Sequence, residues 1–217
     1  MQIKILELIS FSVCFIFTVL GTVKILMKNT PDFFKLFVYA IGCYSLEELW
    51  VVINIFFGYG FEEGLISVRL FGIFGCFCFT LSAYLNKIHG VRHKKPCLRA
   101  LIVPAVMVIF YVLFAVKYLE SGSVFRIAVA YLAVSPTIPA AYFAVESLFA
   151  DADDDGLLKV SRPLGIITAV FAFTSAVYTH LYSFASQLVL SCLDIVLALL
   201  ASAVIIAACR GVKKWKM

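Results

Sequence analysis

Residues 188–209, LVLSCLDIVLALLASAVIIAAC, decide the kind of fold this chain can have. Across 22 residues the stretch carries a single charge, Asp194. About 20 mostly apolar residues in a helix cross the roughly 30 Å of bilayer hydrocarbon. A surface helix of that length in water would show a polar face instead. Six further stretches pass the same test, at residues 5–27, 34–57, 66–86, 99–118, 124–149 and 164–183. The whole chain of 217 residues is 63% apolar and only 14% charged, with a mean hydropathy of +1.03. Too few charges remain to coat a soluble globule of this size. That composition excludes an ordinary soluble enzyme, a disordered chain and a nucleic-acid binder. It predicts an all-α integral membrane protein, a seven-helix bundle forming one polytopic domain over residues 1–217. The 183–187 break is the least marked, because no charge interrupts it, yet 46 residues from 164 to 209 are too many for one span.

Orientation follows from the positive-inside rule. With the N-terminus outside, 14 of the 18 Lys and Arg residues fall on the inner side, in groups around Lys24, Lys95, Arg162 and Lys214. The outer side keeps Lys4, Arg69, Lys117 and Arg126. The sequence therefore predicts an outside N-terminus and a cytoplasmic C-terminus. The first segment lacks a small-residue cleavage site and is followed by Lys24 and Lys28, so it reads as a span and not as a signal peptide. None of the seven cysteines falls in an outer loop, so no disulfide framework is expected. The chain has no Asn-x-Ser/Thr acceptor, which is compatible with a bacterial cell membrane.

The residues that cost most to place are the buried acids. Glu47 and Glu48 sit near the middle of the second span, within Gly42-Cys-Tyr-Ser-Leu-Glu-Glu-Leu-Trp50. A charge at that depth costs about 2.5–3.5 kcal/mol on insertion scales. Neighbours on a helix point about 100° apart, so at least one should face the bundle interior. Glu47 shares its face with Cys43, Trp50 and Asn54; Glu48 shares its face with Tyr44 and Ser45. Asp194 lies about two turns inside the seventh span. Glu7, Arg69 and His180 lie at the same outer level, where they either line a polar vestibule or serve as interfacial charges beside an aromatic belt. The candidate ligand-binding set is Glu47, Glu48, Asp194, Asn54, Tyr44 and His180.

Other features have plainer readings. Pro136 and Pro139 predict a kink in the fifth span, with Ser135 and Thr137 placed to satisfy the freed carbonyls. Gly165, Thr168, Ala169, Ala172, Ser175 and Ala176 read as a close-packing surface on the sixth span. Asp151-Ala-Asp-Asp-Asp-Gly156 begins like a calcium loop, but Arg162 stands at the twelfth position, where a bidentate glutamate belongs, so the stretch reads as a solvated acidic loop. His89, His93 and Cys97 are four apart, but Pro96 and the surrounding cations argue against a metal. No metal and no cofactor is expected.

Two families bear comparison. A microbial rhodopsin carries retinal on a lysine of its seventh helix, and here the first lysine after Asp194 is Lys213, beyond the span. Cys43-Tyr-Ser-Leu-Glu-Glu48, Gly75-Cys-Phe-Cys-Phe-Thr-Leu-Ser-Ala-Tyr84 and Ser191-Cys-Leu-Asp194 resemble segments of the YhhN, or lysoplasmalogenase, family. The likeness covers about a third of the chain. The chain departs from that family by a glutamate for its first aspartate and by one helix fewer. The resemblance implies that Glu47 or Glu48 acts with Asp194 as an acid–base pair hydrolysing a vinyl-ether lipid. The residues themselves favour a non-enzymatic reading, a transporter or receptor-like protein that takes a small cationic or amphipathic ligand on its buried acids. A third reading is a subunit that assembles with a membrane protein partner. Membrane lipids are partners in every case; nucleic acid is not.

Overall fold

The computed structural model describes residues 2–27, 30–57, 62–88, 97–120, 124–149, 157–182 and 184–215. They form seven long helices: α1 (Gln2–Met27), α2 (Asp32–Phe57), α3 (Glu62–Ile88), α4 (Ile102–Glu120), α5 (Val124–Phe149), α6 (Leu157–Leu181) and α7 (Gln187–Trp215). A short 3-10 turn, Leu98–Leu101, leads into α4. All seven helices contain a stretch long and apolar enough to cross a membrane, as the hydropathy predicts. The uncharged break between α6 and α7 is real. The carbonyl of Leu181 accepts from the amides of Phe184 and Ala185, and a new helix begins at Gln187.

Several helices outrun their predicted spans. α3 begins at Glu62 where the apolar count places residue 66, and α7 continues to Trp215 beyond residue 209. A span count registers apolar side chains, whereas a backbone stays helical into the polar headgroup layer as long as its hydrogen bonds close. The difference matters for Arg69. Measured from Glu62, it stands two turns inside α3 rather than at its mouth.

Six helices close a ring in which α1 packs on α2, α2 on α3, α3 on α5, α5 on α6, α6 on α7 and α7 on α1, with α2 also touching α7. α4 lies outside this ring against α5 and α6. The surface is apolar where a soluble protein would be polar, with Leu20, Leu26, Ile109 and Tyr131 all exposed. The interior holds many small and polar side chains, among them Ala140, Ala144, Ala172, Ala198, Ser175 and Thr179. In lipid, helices gain little from hiding apolar groups and associate through close packing and polar contacts.

The expected packing surface of α6 is buried from Leu164 to Ala176 along one face. At Gly165 a Cβ would meet the Ala144 carbonyl at 2.6 Å and collide with the Ser147 hydroxyl, so α5 and α6 touch backbone to backbone. α5 runs unbroken through both prolines. Pro136 leaves the Leu132 carbonyl without its amide donor, and the Ser135 hydroxyl donates to that same carbonyl at 2.9 Å. Thr137 donates to Ala133 at 2.6 Å. The acidic run 151–156 and the pair His89 and His93 lie outside the described residues.

Gly165→Leu should force α5 and α6 apart. A loss of about 1–3 kcal/mol is expected, the usual cost of overpacking, measured as a lowered unfolding temperature in detergent. Ala169→Ser, a much smaller change on the same buried face, serves as the mild comparison.

Candidate functional site

The α1–α7 interface sets the frame of the site. Ser191 donates to Glu7 Oε1 at 2.7 Å, Ser10 donates to the Asp194 carbonyl at 3.3 Å, and the Cys14 thiol lies 3.9 Å from the Ala198 carbonyl. All three pairs are offset by 184 residues, so the two helices run parallel and in register. On the other side α2 approaches α3 closely because Gly72 has no side chain. A Cβ there would collide with Cβ of Glu47. Gly75 faces Cys43 in the same way, one turn along.

These two interfaces bring four carboxyls to one guanidinium. Arg69 Nη2 meets Glu7 Oε2 at 3.0 Å. Arg69 Nη1 meets Asp194 Oδ1 at 2.7 Å, Glu47 Oε1 at 3.5 Å and Glu48 Oε1 at 3.7 Å. The Tyr178 ring from α6 lies 5.5 Å from the guanidinium carbon, within cation–π range, and its hydroxyl reaches Asp194 Oδ2 at 3.5 Å. All five charged groups are buried. Arginine suits this position because its planar fork can face several carboxylates at once.

Both glutamates face inward. Their directions differ by about 100°, and the guanidinium sits between the two directions, so neither must turn to lipid. Trp50, expected on the face of Glu47, is instead half exposed, whereas Tyr44 and Ser45 are buried beside Glu48. Glu48 is the least satisfied of the set. It is 0% exposed, its contact with Arg69 is the longest of the four at 3.7 Å, and among the described residues neither carboxyl oxygen makes a hydrogen bond of good geometry, although the Ser10 and Tyr44 hydroxyls lie beside it. A buried polar group left so is uncommon.

The remaining candidates divide. Tyr44 is buried one turn deeper than Glu48. It stands edge-on to Phe171, which stacks on Phe77 at 5.1 Å between ring centres. These three rings form an aromatic layer beneath the carboxyls. Asn54 is buried two turns towards the other end of α2, and its side-chain oxygen lacks a partner among the described residues. His180 does not join the cluster. It packs between Phe110 of α4 and Phe184, on the outer side of α6. Sequence reasoning left Arg69 and Glu7 outside the ligand set, and the structure makes Arg69 its centre. Ser10, Ser191 and Tyr178 were likewise not singled out as site residues. Among the described residues no three His, Cys, Asp or Glu side chains are disposed to hold one metal ion.

The chain matches no protein family, no curated protein and no solved structure with which it was compared. The chemistry of the site is therefore read from its own geometry.

Removing the cation should destabilise the bundle. Arg69→Gln leaves four buried carboxyls with no countercharge, and a loss of about 3–5 kcal/mol is expected, as for breaking other buried pairs. Arg69→Lys keeps the charge but loses the fork, so its unfolding temperature in detergent should fall between the other two.

Proposed function

We propose that this chain is a multi-pass membrane protein that binds, and by binding senses or transports, a small cationic or amphipathic ligand at the acidic site around Arg69. The observation that carries this reading is the imbalance of charge. Four carboxyls share one guanidinium, so three of them are buried without a cation of their own. Excess charge in a low-dielectric interior is costly, and added positive charge removes that cost. Protons or a ligand cation can supply it. Glu48, whose contact with Arg69 is the longest of the four, has the most to gain.

The reading also assigns a route and a moving part. In this reading the buried rings of Tyr44, Phe77 and Phe171 form the floor beneath the carboxyls. A ligand then enters from the end where α1 begins, past Asn54. In the topology favoured by the lysine and arginine distribution, that end faces outside and the C-terminus lies in the cytoplasm of a cell, in keeping with a plasma membrane of bacterial type. α5 is the element best suited to move, because Pro136 and Pro139 remove two of its ladder hydrogen bonds and its neighbour α3 carries Arg69.

The test is binding and uptake of tetraphenylphosphonium and of guanidinium by the purified protein in liposomes. Glu47→Gln with Glu48→Gln should lower affinity by about thirtyfold or more, the usual effect of removing a buried ionic partner. Equal binding by the variant and the native chain would sink the proposal.

One observation favours the hydrolase reading as the alternative. Glu48 and Asp194 converge on the same guanidinium nitrogen, so two carboxyls from different helices stand together, as vinyl-ether hydrolysis of lysoplasmalogenase type requires. In that case the purified protein should release a fatty aldehyde from a vinyl-ether lysophospholipid, and Asp194→Asn should abolish the release. No aldehyde from the native chain excludes this alternative without touching the first reading.

A further inference from the structure

Towards the end of the bundle opposite Arg69, α1 and α7 part to leave a groove of about 350 Å³. Phe17 and Leu20 line it from α1, and Ile205 and Ile206 line it from α7. Two cations complete the lining, Lys24 and Arg210. The register that sets Cys14 against Ala198 places Lys24 level with Ala208, so the two positive groups stand at nearly the same depth. The groove opens sideways, since Leu20 is 57% and Ile206 40% exposed.

The charges distinguish this groove from an ordinary gap between helices. Among the described residues neither Lys24 nor Arg210 is paired with a carboxylate. The Lys24 ammonium rests instead over the Phe34 ring at 5.0 Å. Arg69 meets its carboxylates inside the bundle; among the described residues these two meet none. An apolar trough beneath paired cations, facing the bilayer, complements a lipid with a negative headgroup.

We propose that this groove is a binding site for an anionic glycerophospholipid. Its phosphate sits between Lys24 and Arg210, and one acyl chain lies along Phe17, Leu20 and Ile206. The site is independent of the acidic cluster and of any ligand bound there. Each cation near an anionic lipid surface contributes enough for a severalfold gain in affinity, and two together give on the order of tenfold or more.

Native mass spectrometry of the purified full chain tests this, with phosphatidylglycerol and phosphatidylcholine of equal chain length as probes. The native chain should retain phosphatidylglycerol on the order of tenfold more strongly. Lys24→Gln with Arg210→Gln should bring the two lipids to parity, while Lys24→Arg, which keeps the charge, should hold the preference. Glycerol 3-phosphate at equal concentration should not displace the lipid. Equal retention by the native chain, an unchanged preference in the double variant, or displacement by the headgroup alone would each overturn the proposal. The first comparison needs no variant, so poor accumulation of the double variant leaves the test decisive.

Discussion

The fold depends on one guanidinium. Arg69 projects from α3 and meets carboxyls from α1, α2 and α7, which ties four of the six ring helices at a single depth. In a lipid environment a carboxyl that loses this partner has no water to fall back on. The contacts are therefore conditional on one another. Ser191 orients Glu7, Tyr178 reaches Asp194, and Gly72 gives Glu47 the room to stand against α3. None of these groups has a comparable role alone.

Fold and site were legible to different degrees. Hydropathy alone locates all seven spans, because the bilayer demands the same length and composition of each. It also places Asp194, Glu47 and Glu48 at membrane depth and turns at least one of the two glutamates to the interior, without saying which. It does not rank the partners. Arg69 reads as an interfacial charge when its helix is taken to begin at residue 66, and as a buried one when the helix begins at Glu62. A helix end is set by backbone hydrogen bonds in the headgroup layer, which a count of apolar side chains does not register. Glu7 escaped for a related reason, because its partner Ser191 is 184 residues away and helix order in the ring is not written in any local pattern.

His180 shows the reverse case. Its neighbours Tyr178 and Tyr182 in the sequence suggest one polar face, yet residues two apart on a helix point in nearly opposite directions. Tyr178 turns to Arg69, and His180 turns to Phe110 of α4. The position of α4 outside the ring is what makes that outward face a packing surface. Local composition could not separate the two residues; the placement of a third helix does.

The inside-out distribution of polarity explains why so many small residues accompany so few charges. Alanine, serine and glycine at the interfaces let backbones approach, as at Gly165 against the Ala144 carbonyl, and close approach brings short side chains such as Ser10 and Ser191 within reach of groups on the next helix. A bundle of larger side chains would hold α1 and α7 too far apart for those contacts. The carboxyls could then be satisfied only by long, flexible partners that lose more conformational freedom on ordering. Small residues and the buried acidic site are thus parts of one solution, in which tight packing supplies the polar surroundings that the bilayer withholds.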